Sequence, residues 1–275
     1  MRHMRFRTAT WGVIVGTLLA FSVAAHALEK EEFHRTYPLN ADGVFALSNV
    51  NGEVQVRGWD QNSVQVDAVK TADDKEYLQE TRIEVSASSS SITIDTKYPE
   101  HMHNHRGSTV DYTISIPKGA RIRKLDLVNG TLTIEGVHGD ITASTVNGRL
   151  GVEGSAGDLH LNSVNGQITA AVTQLGKYAK LSCVNGQLTL TVPSDVNVSV
   201  KGSTVNGNIS NDFGMQVEHA KYGPGSSLSG QLGDGTSRLE LSTVNGGIRL
   251  VRAGDGKTAS KVTQKPRSGS NSSYF

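Results

Sequence analysis

Apolar and polar residues alternate along most of the chain, the mark of strands that bury one face. The alternation is organised around a tripeptide. Val-Asn-Gly occurs seven times, starting at Val50, Val128, Val146, Val164, Val184, Val205 and Val244. Two alternating apolar residues usually precede it, as in Phe45 and Leu47, Leu159 and Leu161, or Leu239 and Leu241. Two more usually follow, as in Val54 and Val56, Leu132 and Ile134, Leu150 and Val152, Leu188 and Leu190, or Ile248 and Leu250. A small residue usually stands just before the valine: Asn49, Thr145, Ser163, Cys183, Thr204 or Thr243. Asn-Gly supplies a tight turn, because glycine carries no Cβ and asparagine tolerates the left-handed region. The turn residues are Asn51 and Gly52, Asn129 and Gly130, Asn147 and Gly148, and Asn165 and Gly166. Asn185 and Gly186, Asn206 and Gly207, and Asn245 and Gly246 complete the set. A wider turn closes many units, as at 135–140 and 153–158. Each unit reads as strand, tight turn, strand, wide turn.

Successive valines are 78, 18, 18, 20, 21 and 39 residues apart. A period near 20 with a double gap predicts an all-β repeat architecture. Two folds fit. In a parallel β-helix, or solenoid, each 18–21-residue unit makes one coil. Its valines stack inside and its asparagines stack at a corner. In an antiparallel meander, Asn-Gly is a hairpin turn, with Ser163 opposite Ile168 and Leu161 opposite Ala170. Recurrence of the same residues favours the solenoid, which stacks like on like.

The pattern divides the chain into four parts. Residues 1–27 read as a secretory signal peptide. Arg2, Arg5 and Arg7 precede an apolar run at 11–24, and Ala25, His26 and Ala27 form a small-x-small cleavage site before Leu28. Residues 28–120 read as an irregular N-terminal β cap that includes the first repeat. Strands are expected at 64–69, 82–85, 92–96 and 110–116, a short helix within 72–81, and a loop at 101–108. Residues 121–252 carry the solenoid repeats, with one degenerate coil and a loop between Val205 and Val244. Residues 253–275, rich in Ser, Lys and Gly, read as a disordered tail.

Composition narrows the function. The chain has 275 residues and a formal net charge of +1. Charged residues make up 19% and aromatics 5%, a balance that argues against nucleic-acid binding. Loss of the three signal arginines leaves 24 basic and 26 acidic residues. A single cysteine, Cys183, excludes a disulfide framework and any multi-cysteine zinc site. No segment after the signal is apolar enough for stable membrane insertion.

The chain resembles the DUF4097 family of exported bacterial proteins. The matching features are residues 47–60 (LSNVNGEVQVRGWD), the strand 110–117 running into Ile116-Pro117-Lys118-Gly119, and the run of Val-Asn-Gly units. The resemblance spans roughly residues 35–250. It implies a β-helix similar in style to the head domains of bacterial adhesins. It implies no catalytic residues and no defined ligand.

Candidate chemistry is sparse. His101, His103 and His105 alternate and could ligate Zn, Cu or Ni, although a solvated loop accounts for them equally simply. Cys183 takes the place of Ser163 and Thr204 in neighbouring units and reads as a small filler. The outward positions after each Asn-Gly are Thr131 and Thr133, Arg149 and Gly151, Gln167 and Thr169, Gln187 and Thr189, and Asn208 and Ser210. They gather no acids. Asp140 and Asp158 align at the wider turn, where such residues serve turns. The Thr/Gln/Asn stripe could form a flat binding face. These features point to an exported, non-enzymatic adhesion or envelope-interaction module that needs no cofactor. Its partner would be a surface glycan or an envelope protein, and its place the periplasm, the cell surface or the medium. The alternative is a carbohydrate-active enzyme, a polysaccharide lyase or hydrolase, on the same fold.

Overall fold

The computed structural model describes residues 28–99, 107–220 and 223–264. The expected signal peptide, His101, His103 and His105, and residues 265–275 lie outside the described residues. The rest is all-β apart from one short helix. The first strands are β1 (Glu29–Pro38), β2 (Val44–Asn51), β3 (Val54–Trp59) and β4 (Ser63–Ala72), followed by α1 (Lys75–Glu80). Then come β5 (Arg82–Ala87), β6 (Ser91–Lys97), β7 (Ser108–Pro117), β8 (Arg121–Glu135) and β9 (Ile141–Asn185). The last are β10 (Leu188–Val192), β11 (Val198–Asn206), β12 (Ile209–Asn211), β13 (Val217–His219), β14 (Ser226–Leu232), β15 (Ser237–Asn245), β16 (Ile248–Arg252) and β17 (Val262–Gln264).

The Asn-Gly sites are corners, and none of the described pairings closes a hairpin across one. Strand β8 passes through Asn129 and Gly130, and β9 passes through two such corners and ends at a third. The two arms of each corner pair with neighbouring repeats. β8 and β9 run parallel, with Asn129 opposite Asn147, Leu132 opposite Leu150 and Ile134 opposite Val152. Ile168 lies opposite Leu188, also in parallel, instead of facing Ser163 as a meander requires. Like therefore stacks on like, and the columns Leu132, Leu150, Ile168, Leu188 and Ile248 are at most 2% exposed.

The spatial order of the corners departs from chain order. Asn51 pairs with Asn129 across the 78-residue gap, and Asn185 pairs with Asn245. Asn206 then pairs with Asn245, so the last two repeats exchange places. The interval between them does not supply a degenerate coil. It supplies β14, antiparallel to β11, and β13, antiparallel to β14; β17, from beyond the last repeat, also pairs antiparallel with β14. A terminal strand would otherwise leave a row of open backbone groups, and the fold-back covers it.

The other end is covered in the same way. β4 runs antiparallel between β1 and β7, and β5 runs antiparallel to β6. Helix α1 forms inside the expected interval. The Asp74 side chain caps it by accepting from the Tyr77 N–H at 2.9 Å, and Leu78 is buried. The Lys70 ammonium secures its far end, donating to the Thr81 carbonyl at 3.1 Å while pairing with Glu31 at 2.9 Å.

Residues 253–264 are ordered, where the composition predicts disorder. Ala253 N–H donates to the Val192 carbonyl at 2.9 Å, Ser260 N–H to the Ser194 carbonyl at 2.8 Å, and β17 joins the sheet. Backbone donors find acceptors there, and Val262 packs against the core.

Candidate functional site: the outer face of the repeat corners

Each corner is built by an asparagine, a glycine and the two residues before them. The asparagine amides form a continuous chain. Asn129 Nδ2 donates to Asn51 Oδ1 at 2.8 Å, Asn147 to Asn129 at 3.0 Å and Asn165 to Asn147 at 3.0 Å. Asn185 then donates to Asn165 at 2.8 Å, Asn245 to Asn185 at 2.7 Å and Asn206 to Asn245 at 2.8 Å. All the amides point the same way, so each residue donates once and accepts once along the interior of the ladder.

Two constraints select the glycine. A Cβ placed on Gly166 would overlap the carbonyl oxygen of Gly148 in the next rung. Its φ of 159°, like the 125° of Gly52 and 138° of Gly130, is also one that L side chains rarely adopt. Gly207 has no positive φ, yet a Cβ there would overlap the Gly246 carbonyl in the same manner. The shared requirement is space for the neighbouring rung.

The valines do not stack inside. Val146, Val164, Val184 and Val244 are 39–42% exposed and Val205 is 59% exposed. The residue before each one takes the inner place: Thr145, Ser163, Cys183, Thr243 and Thr204 are at most 5% exposed. These inner polar groups mostly find partners. Thr145 Oγ1 donates to Ser163 Oγ at 3.2 Å, Cys183 Sγ to the Gly166 carbonyl at 3.3 Å and Thr204 Oγ1 to the Gly246 carbonyl at 3.0 Å. Burial pushes the Cys183 thiol up, which disfavours the nucleophilic thiolate.

The outward valines form one wall of an open groove of about 420 Å³ that crosses several rungs. Its floor holds Asn162, Ser182, Ser242 and Ser203, two residues before each valine. Ser182 and Ser242 hydroxyls are 3.0 Å apart across paired strands. Lys180, Glu240 and Lys201 lie two residues further back on the same strands. Glu240 is engaged: the Tyr178 hydroxyl lies 3.0 Å away and Arg238 2.6 Å away. The Tyr178 hydrogen bond first, and Arg238 second, hold its carboxyl below the usual range.

The remaining sequence candidates fall elsewhere. Asp140 and Asp158 do not converge on a reaction centre. Asp140 Oδ1 accepts from Asp158 N–H at 3.1 Å, and Asp158 Oδ1 from Tyr178 N–H at 2.9 Å, so each ties its turn to the next rung. Among the described residues no three of His, Cys, Asp or Glu gather into a metal-holding group. At the N-terminal end of the ladder the Tyr98 hydroxyl donates to Asn49 Oδ1 at 2.7 Å, and burial pushes its phenol up to about 12.

The repeat corners fall within a region matched by a known family model. The model described as Toastrack DUF4097 matches residues 45–251. The chain belongs to the Toastrack DUF4097 family. The match begins at the Phe45 strand of the first corner and ends just past the Leu250 strand of the last one. No curated protein matches the sequence. Solved structures similar to this Toastrack chain include a protein of Clostridium sporogenes provisionally named a cell adhesion protein. It is 13% identical, with 82% of this chain and 100% of that chain covered, at a TM-score of 0.46. A protein of Bacteroides fragilis provisionally named an adhesin is 13% identical over 82% and 98% of the two chains, with a TM-score of 0.27. One of Parabacteroides distasonis provisionally named a lipid binding protein is 9% identical over 82% and 96%, with a TM-score of 0.28. No helix among the described residues of the Toastrack chain is long and apolar enough to cross a membrane.

Proposed function

We propose that this Toastrack chain is an exported, non-enzymatic module for adhesion or for interaction within the cell envelope. Its Val-Asn-Gly units wind as a parallel β-solenoid of 18–21-residue coils, after a signal peptide at 1–27 directs export. The observation that carries the reading is the column of outward valines. Stacked valines also suit strand backbone, but five of them left exposed at equivalent positions offer a continuous apolar stripe that a partner could desolvate. Supporting it, the aligned aspartates Asp140 and Asp158 are occupied with backbone N–H groups of the next rung.

The test uses the mature chain beginning at Leu28, labelled and added to intact bacterial and host cells and to immobilised polysaccharides. Adherence without release of new sugar ends is the expected result. Release of new ends from any polymer would replace this reading with a carbohydrate-active enzyme. Failure to adhere to every surface would remove the adhesive role.

A further inference from the structure

We infer that the groove beside the outward valines binds an extended acidic polysaccharide lying along the stack axis, across the strands; the inference rests on the adhesive reading above. In spatial order one wall is Val164, Val184, Val244 and Val205, and the floor beside it is Asn162, Ser182, Ser242 and Ser203. The pattern repeats once per rung, about 4.8 Å. A polymer that lies in it meets aliphatic surface and a hydroxyl or amide at every rung, and beyond them the column His160, Lys180, Glu240 and Lys201.

Other ligand classes match this combination less well. A peptide adding itself as a strand needs an open backbone edge. Here the strands run across the groove and their backbone groups are spent on neighbouring rungs. An acyl chain would cover the floor hydroxyls and leave them without water, at a cost for each. A sugar ring offers C–H surface to the valines on its face and hydroxyls to Asn162 and the serines at its edge. The charged column decides the class of sugar. Glu240 pairs with Arg238 and accepts from Tyr178. Lys180 and Lys201 lie directly opposite it on the two neighbouring strands without a salt bridge among the described residues, so the column carries three cations around one carboxylate. Such an excess of cations complements carboxylates spaced along a chain.

Titration calorimetry of the mature chain with an oligomannuronate, and with a manno-oligosaccharide of equal length, tests this. The two ligands differ only in their carboxylates. Binding of the oligomannuronate is expected, weakened by added salt, with the neutral oligosaccharide about tenfold weaker or worse. Val184→Ser with Val244→Ser should weaken binding about tenfold. Lys180→Gln with Lys201→Gln should weaken it about tenfold and flatten the salt dependence. Gln167→Ser, on the far side of the corner, should change it less than about twofold. Circular dichroism confirms that each variant is folded, which the exposure of Val184, Val244, Lys201 and Gln167 and the half-burial of Lys180 favour. Equal binding of the neutral ligand would overturn the acidic class. Binding indifferent to the valine and lysine pairs would overturn the groove while leaving adhesion intact. Cell adherence without binding of either oligosaccharide, abolished by protease treatment of the cells, would replace the glycan with a protein partner.

Discussion

At Gly166 the neighbouring rung and a positive φ together dictate the residue. A side chain there strikes the Gly148 carbonyl, a backbone atom that cannot move aside without shifting its whole rung. Gly166→Val should therefore cost about 3 kcal/mol, the upper end of overpacking penalties. Gly151→Ala meets only ordinary contact distances in its strand and should stay within about 0.5 kcal/mol. Denaturant unfolding of the two variants compares them, and equal losses would remove the close-approach explanation. Asparagine at the corner is explained by its having both a donor and an acceptor. Asn165 gives one bond to Asn147 and takes one from Asn185. Asn165→Ala should lose about 1–2 kcal/mol, two bonds of modest net value at an exposed site. Asn165→Asp keeps the acceptor but sets a carboxylate against Asn147 Oδ1, so at neutral pH it should be less stable than Asn165→Ala. Repulsion raises that carboxyl in the folded state. The deficit is thus fully present above the folded value and shrinks as pH falls through it, because the protonated group can donate. Urea titrations at neutral and acid pH read this directly, and a deficit independent of pH would contradict the ladder's polarity.

At the scale of elements, the strand arms obey alternation and the ends obey backbone bookkeeping. Inward columns of Leu, Ile and Val were legible because period two is a strong signal and like stacks on like. The same alternation already assigned the valines to the surface. Leu159, Leu161 and Ser163 share one face, so Val164 must take the other; a valine's apolarity pointed inward, but its parity pointed outward. The caps were less legible, because β14 is placed by backbone groups of β11, and β13 and β17 by those of β14, and backbone groups leave no side-chain signature. The ordered segment 253–264 belongs to this class. It is clamped by Asp255, whose carboxylate accepts from the Ser194 N–H at 3.0 Å and from the Lys257 N–H at 3.1 Å. The Ser194 side chain, followed by the Ser194 backbone, holds Asp255 down at about 2. A depressed carboxylate contributes above its unfolded value, near 3.9 for aspartate, and loses that contribution as pH falls toward the folded value. Protection of the Ser260 amide from hydrogen exchange should therefore fall between about pH 4 and pH 2. In Asp255→Asn it should be low throughout and lack that step. An unchanged profile in the variant would show that the clamp does not hold the segment.

At the scale of the whole molecule, the account rests on the order of the rungs and on which way their valines face. The repeat unit was readable from Val-Asn-Gly, and the family from that run together with residues 47–60 and the 110–119 segment. The exchange of the last two rungs was not, because Asn206 and Asn245 occupy equivalent corners and nothing in either tripeptide ranks them. That exchange gives the groove its sequence of walls and places Lys201 at its end. Paired cysteines on the valine column, in a Cys183→Ser background, test it most directly. Val184→Cys with Val244→Cys puts two exposed thiols on adjacent rungs, about 4.8 Å apart, within disulfide range. Val184→Cys with Val205→Cys puts them about two spacings apart, beyond it. Under mild oxidation the first pair should form an intramolecular disulfide and the second should not. Bridging of Val184→Cys to Val205→Cys without bridging of the other pair, or thiols that no reagent reaches, would contradict the rung order or the outward valines on which the account depends.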